Sequence, residues 1–480
     1  MDNSRDPSTS SLAYRRMVPT WDRVETLLAG TEAMRAAGEK YLPKYEHERQ
    51  AAYDARLQGA VLFNAAEQTL DSWVGRPFSD PVTTSEDMPE ELTSILDDVD
   101  LEGNDVTTFC RDWFREGLAK AVAHVLVDMP VVDREGRTAA DDLRDDVRPY
   151  WSFIKPECLI AASVTMVDSR EVLTHARIRE QEVERDGFSE RVVCKIRELN
   201  LLVDPESGEF RVFVTVWRQV KGNKWEVESG PAKMDINQIP LVTFYANRKD
   251  FMTGKPPVSD LVDLNIAHWQ SSSDQRNILT VARFPILAGS GIREEESKVE
   301  IGPRKMLWAS DPAAKFYYVE HSGASIASGR QDILDLEEKM ASYGADFLRK
   351  RPGNVTATAR ALDAAEATSP LQDSATRFQD AMNQALAITA KWMGVEEYGS
   401  LIVSTDFGPE EITQSDLSEL GAARRGRDLS REAYLAELKR RGALMDDFDP
   451  EENEKQLAAE EMSFGGGPTD GKDIDEQAEE

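Results

Sequence analysis

The chain has 480 residues, 40% hydrophobic and 30% charged, proportions that exclude wholesale disorder and leave room for about two to four folded units. Its 57 Lys and Arg stand against 88 Asp and Glu, a formal charge of -31. That balance argues against a protein that grips nucleic acid by neutralising many phosphates, but not against one that surrounds DNA without gripping it. Three scattered cysteines, Cys110, Cys158 and Cys194, exclude a disulfide framework and a Cys-x-x-Cys zinc site, and read as small buried hydrophobes in a reducing compartment.

The opening MDNSRDPSTSS lacks an apolar run, so no signal peptide is expected. The longest apolar stretch, around 121–132, is interrupted by His124, Asp128 and Pro130 and is far short of the roughly 20 residues that span a bilayer. A soluble intracellular protein with no membrane contact is expected. Residues 1–18 are polar and read as loose. Residues 46–76 read as one long helix, with Leu62, Ala66, Leu70 and Trp73 on one face and Gly75-Arg76-Pro77 as its stop. Residues 84–105 hold nine acids and no base, which suits either a solvated helix and loop or a divalent-ion surface. A second amphipathic helix covers 106–121 through Phe109, Trp113 and Leu118, followed by a strand at Val122–Asp128.

From about 150 to 245 the pattern alternates. Leu159–Val167, Val172–Arg179, Arg191–Val203, Phe210–Gln219 and Lys224–Val227 read as strands of an antiparallel meander, with turns at 204–208 and 221–224. With the two helices this makes an α+β unit over roughly 19–255. Residues 257–282 then form a long helix whose polar residues, Asn265, His268 and the run from Gln270 to Asn277, surround its girth. Such a helix bridges solvent or packs against many neighbours through small and polar groups.

A β-rich insert follows, with strand candidates Phe284–Ala288 and Lys315–Val319. A second long helix, Ser325–Arg349, carries Ile326, Ile333, Met340 and Phe347 at seven-residue intervals, with Leu336 and Tyr343 completing an a/d seam. The seam suits an oligomer contact or intrachain packing. Arg351-Pro352-Gly353-Asn354 breaks the chain before a longer helix, Thr356–Met393, in which Pro370 predicts a kink or break. A strand, Leu401–Thr405, and two short helices, Ser415–Arg425 and Ser430–Gly442, come next. Residues 446–480 hold fourteen acids and two lysines, and the last eighteen residues read as disordered.

Catalytic signatures are missing from the sequence. There is no Gly-x-x-x-x-Gly-Lys-Ser/Thr loop, and His47-Glu48 is followed at the needed position by Ala51 rather than a second histidine. Asp406-Phe407-Gly408 lacks the other parts of a kinase site. No cofactor and no metal are expected, and the chain does not read as an enzyme. The competing reading is an acidic cytosolic enzyme that depends on a divalent metal held at 84–105 or around Asp128.

Two long helices bracketing a small β-rich insert, then a Pro-Gly break and a longer helix, resemble the bacteriophage portal protein, the head-to-tail connector ring of tailed phages. Local wording resembles one portal subfamily, long carried as a domain of unknown function. It runs through Tyr41-Leu42-Pro43-Lys44, Tyr53-Asp54-Ala55-Arg56-Leu57, Leu62-Phe63-Asn64-Ala65 and Val74-Gly75-Arg76-Pro77-Phe78. It continues at Val125-Leu126-Val127-Asp128-Met129-Pro130, Asp263-Leu264-Asn265-Ile266-Ala267-His268-Trp269 and Thr356-Ala357-Thr358-Ala359-Arg360. The acidic 84–105 segment and the acidic end depart from the pattern.

The resemblance implies a portal fold of the α+β class. Its parts would be a flexible start (1–18), an α/β wing (19–256), a stem helix (257–283), a clip (284–322) and a second stem helix (323–350). A tunnel loop (351–358), a long kinked wing helix (359–398), a wing strand with crown helices (399–462) and a disordered acidic tail (463–480) would follow. It implies about twelve copies in a heterologous ring at the capsid vertex, a conduit for DNA packaging and ejection. Arg349, Lys350, Arg351, Gly353, Asn354 and Thr356 would form the tunnel loop beside duplex DNA. Cations that offset the dipole at a helix C-terminus are the other reading of the three basic residues. Glu294, Glu295, Glu296, Lys298, Arg304 and Lys305 would be clip contacts for the terminase large subunit and, later, a head–tail adaptor. Ile326, Ile333, Leu336, Met340, Tyr343 and Phe347 would pack the stem. Major capsid and scaffolding proteins would be further partners, in the virion and, during assembly, in the host cytoplasm. A head–tail adaptor itself is a third reading, which the length and the stem–clip layout disfavour.

Overall fold

A computed structural model describes residues 6–130, 132, 138–167, 169–220, 224–283, 286–290, 312–319, 323–344, 357–405 and 414–440, with a few residues between 443 and 455. The protein is an α+β chain that divides into two compact units, one of Met1–Val355 with Ser369–Thr405 and one of Thr356–Thr368 with Asp406–Glu480.

In the first unit, helix α1 (Leu12–Leu28) starts where a loose segment was expected. Ser11 caps it, its hydroxyl accepting the Tyr14 N–H at 3.1 Å. Met17, Trp21, Val24 and Leu27 form a buried stripe at helical spacing, which outweighs the polar residues between them. Helix α2 (Thr31–Ala37) follows, then α3 (Gln50–Gly59) and α4 (Ala65–Gly75). The single helix expected over 46–76 is therefore two. The break at 60–64 is held by tertiary hydrogen bonds that a continuous helix could not make. Arg35 donates to the Ala60 carbonyl, and the Asn64 amide donates to the carbonyls of Leu27 and Leu28 at 3.2 and 3.3 Å while its oxygen caps α4.

Strand β1 (Thr83–Thr84) precedes α5 (Glu90–Leu96), which buries Leu92, Ile95 and Leu96 under its acidic exterior. The acids that follow serve the backbone. Asp98 accepts the Gly103 N–H at 2.9 Å, and Asp100 accepts those of Glu102 and Asn104. Helix α6 (Val106–Lys120), capped by Asp105, leads into β2 (Val122–Asp128), every residue of which is buried. After α7 (Ala139–Arg144) comes β3 (Tyr150–Ile154).

The meander forms a five-stranded antiparallel sheet in sequence order. Its strands are β4 (Leu159–Val167), β5 (Arg170–Asp186), β6 (Ser189–Val203), β7 (Phe210–Gln219) and β8 (Trp225–Met234). Strands β5 and β8 run well beyond the segments that alternation marks. Strand β9 (Leu241–Tyr245) returns to β2, so that β2 lies between β3 and β9, with Val125 opposite both Phe153 and Val242. Neither neighbour of β2 is expected from the sequence, because both strands are five residues long and sit among turn residues.

A small hairpin of β10 (Arg248–Asp250) and β11 (Thr253–Gly254) leads into α8 (Ser259–Ala282). Strands β12 (Ile286–Ser290) and β13 (Lys315–Val319) pair antiparallel with Ala288 opposite Tyr317, and α9 (Ala324–Ser342) follows. Helix α10 (Ala357–Met393) includes Pro370, the position of the expected kink or break, with helix on both sides of it. Strand β14 (Leu401–Ile402) pairs with β1. In the second unit, α11 (Gln414–Gly426) precedes α12 (Arg431–Arg440), where Ser430 accepts the Ala433 N–H at 3.0 Å.

The core of the first unit centres on Phe378 of α10. Its ring lies 5.1 Å from Trp113, 5.1 Å from Phe114 and 5.0 Å from Phe244. Gly117 is required here, since a Cβ on it would come within 2.3 Å of the Phe244 ring. Trp151 of β3 donates to Thr389 at 2.8 Å, and Trp392 donates to the Val127 carbonyl at 3.2 Å, fastening α10 to the central sheet.

Truncating Phe378 to Ala is expected to lower stability by about 3–5 kcal/mol, read as a shifted urea midpoint. His124 on β2 is wholly buried beside Thr243, 2.9 Å away, and burial pulls its pKa down to about 3. The folded value lies below the unfolded one of about 6.5, so this contribution is complete above that pH and is lost as pH falls through the window to about 3. Stability should fall by up to about 1.4 kcal/mol per pH unit there. His124→Gln should show a shallower fall in the same urea titrations.

Candidate functional site

The polar helix α8 is held on two sides, and these contacts define the candidate site. One side faces α9. Ser271 donates to Asp332 at 2.5 Å, the Gln275 amide donates to the Ile326 carbonyl at 2.9 Å, and His268 lies 3.6 Å from Glu337. These pairs run in opposite directions along the two helices, so α8 and α9 are antiparallel. They approach closely at Gly329, where a Cβ would fall 2.2 Å from the Gln275 side-chain oxygen. Burial lowers the pKa of His268, opposed by the Glu337 carboxylate.

The other side of α8 faces the segments around α2–α4. Asn265 is completely buried and uses both ends of its amide, donating to the Phe63 carbonyl at 2.8 Å and accepting the Ala66 N–H at 3.0 Å. Gln270 donates to the Tyr41 carbonyl at 2.9 Å. Tyr45 donates to Asp274, and burial together with that bond pushes its pKa up to about 12. The Arg56 guanidinium makes a two-pronged contact with Glu48, both bonds 2.9 Å, and lies 3.5 Å from Asp274. It also donates to the Pro43 carbonyl and stacks 4.3 Å from the Tyr45 ring. Hydrogen bonding to Arg56 holds the Glu48 carboxyl below its ordinary range.

Among the predicted stem residues, Met340 is buried, Ile326, Ile333 and Leu336 are half-buried, and Tyr343 is 52% exposed. The a/d seam is thus incomplete at Tyr343, and the polar pairs do much of the joining between α8 and α9. Phe347, all six clip candidates (Glu294, Glu295, Glu296, Lys298, Arg304 and Lys305) and all six tunnel-loop candidates (Arg349, Lys350, Arg351, Gly353, Asn354 and Thr356) lie outside the described residues.

The sequence reading quotes Arg56 only within a resemblance motif and Glu48 only beside His47, and it names neither Tyr45 nor Gly329. The polar run 265–277 signalled that α8 needed partners, but partners some 200 residues away leave no spacing to read. Among the described residues, no group of three or more His, Cys, Asp or Glu is placed to hold a metal ion, and no helix is long and apolar enough to cross a membrane.

Arg56→Ala should cost about 3–5 kcal/mol, because it leaves the buried Glu48 carboxylate without its partner. Replacing both with Met should cost much less. The two urea midpoints decide whether the pair acts as a unit.

A family model described as a domain of unknown function (DUF4055) matches residues 257–393, from just before α8 to the last residue of α10. No curated protein matches the chain. Among solved structures, a chain from the neck of an empty gene transfer agent particle computed with C6 symmetry is similar at a TM-score of 0.42 and 10% identity, over 86% of this chain and 98% of that one. A chain from the native neck computed with C12 symmetry has a TM-score of 0.40 and 10% identity, over 78% and 89%. One from the native gene transfer agent virion has a TM-score of 0.37 and 11% identity, over 90% and 99%.

Proposed function

We propose that this chain is the subunit of a portal ring, a conduit for duplex DNA at a capsid vertex with no chemistry of its own. The observation that carries the reading is the α8–hairpin–α9 unit. Two long antiparallel helices bracket the β12–β13 pair and join through polar and small groups rather than a wide apolar face. Helices of this kind suit repetition around a hole, where every copy packs against two neighbours. The sequence motifs shared with portals fall in the same order along the chain.

The charge fits the task. At -31 per subunit, a mostly acidic wall repels phosphate, so DNA slides instead of sticking. Arg349, Lys350 and Arg351, with Gly353, Asn354 and Thr356, are proposed as the loop nearest the DNA. The segment 284–322 is proposed as the clip that meets the terminase large subunit and then a head–tail adaptor, through Glu294, Glu295, Glu296, Lys298, Arg304 and Lys305. Capsid and scaffolding proteins complete the proposed set of partners. At 84–105 the acids Asp98 and Asp100 accept backbone amides, and among the described residues no group of three or more His, Cys, Asp or Glu is placed to hold a metal ion.

Mass photometry with negative-stain imaging tests the proposal. The expected species has about twelve times the 53.7 kDa subunit mass and shows a central hole end-on. A chain that stays monomeric at micromolar concentration, alone and with its capsid and scaffolding proteins, would overturn it.

A further inference from the structure

In the second unit, the turn between α11 and α12 places an arginine where a glycine is the economical choice. Two backbone bonds close the end of α11, from the Arg427 N–H to the Arg424 carbonyl at 3.2 Å and from the Asp428 N–H to the Ala423 carbonyl at 3.0 Å. In this pattern the chain leaves a helix through one left-handed residue, a conformation that glycine adopts without strain. Here Arg427 adopts it, with a φ of 64°, although Gly426 stands one position earlier. Strain of this kind clusters where a side chain has a use.

The side chains around Arg427 are basic and open. Arg425 and Arg427 are both exposed, and neither makes an ion pair among the described residues. Arg424 donates across the turn to the Leu429 carbonyl at 3.2 Å and also makes no ion pair among them. Asp428, the acid within the turn, lies back over Gly426, where a Cβ would come 3.0 Å from its carboxylate oxygen. Residues 421–432 hold four arginines against Asp428 and Glu432, a positive turn in a chain of charge -31. Over 414–440 as a whole, six basic residues face five acids, so the surplus lies at the turn.

We infer that this turn is an anion-binding site and that its occupant is the acidic segment 470–480 of the same chain. That segment holds six acids and one lysine, opposite in sign to the turn. The chain between Arg440 and Asp470 is long enough to return along α12, whose ten residues span about 15 Å. The tether makes the encounter intramolecular, at an effective concentration on the order of millimolar, which populates ion pairs too weak to form between separate molecules. A site filled from within is closed to other polyanions, duplex DNA included. The inference concerns a single chain and stands apart from the ring reading.

Zero-length carbodiimide coupling in the full chain tests it, with Arg425→Lys and Arg427→Lys combined in one variant. These exchanges keep both charges and supply amines that the reagent joins to carboxylates as amides. Exposed Lys339 is the reference amine. Peptide mapping of monomeric protein is expected to find the amines at 425 and 427 joined to acids of 470–480 at least about fivefold more often than Lys339 is. The excess should vanish at about 0.5 M NaCl. Coupling at the Lys339 level, or coupling found only between chains, would overturn the inference. A short DNA duplex that shields the two amines, with coupling to 470–480 at the reference level in its absence, would make the turn a DNA contact and overturn it as well. Arg427→Gly should raise the thermal midpoint of unfolding by relieving the left-handed strain. A lowered midpoint would overturn the strain on which the site rests.

Discussion

A helix that is polar around its girth can enter a folded protein only if its polar groups find partners, and α8 sets the terms for the elements around it. Asn265 shows the constraint most clearly. It is completely buried, and it satisfies the Phe63 carbonyl and the Ala66 N–H at once. Those two backbone groups can reach it because the chain leaves helical geometry between α3 and α4. The break at 60–64 and the burial of Asn265 are thus one feature seen from two sides. An apolar residue at 265 would take the acceptor away from the buried Ala66 N–H.

The same logic operates in the ionic contacts. Arg56 and Glu48 are nearly removed from water, with side chains 2% and 7% exposed. Pairs of this kind add little net stability compared with apolar residues of equal size, but they strongly penalise any arrangement that separates them. They therefore tie the 43–56 segment to one position against α8. Asp128 at the end of β2 does the equivalent for the two sheets, meeting Arg197 of β6, which also holds Glu180 of β5 at 2.8 Å. Stability comes from elsewhere, chiefly the aromatic cluster around Phe378, where α6, β9 and α10 converge.

Much of the architecture is legible in the residue order. Alternation over 159–219 marks four of the five meander strands, and the run at 122–127, apolar except for His124, marks the buried β2. Glycine and proline punctuation sets the β12–β13 insert apart from the helices that flank it. Such signals are local, and local periodicity survives in sequence. The pairing of β2 with β3 and β9, the break before α4 and the attachment of α8 to α4 do not survive there. Each depends on groups brought together over 20 to 200 residues. The break overrides a helical pattern because tertiary hydrogen bonds to Leu27, Leu28 and Asn265 outweigh intrinsic helix preference. For the candidate site, the sequence alone determined that α8 is long, helical and too polar for a simple core. Only the tertiary structure decided which groups answer that polarity, because hydrogen-bond partners are chosen by distance in space and not by spacing along the chain.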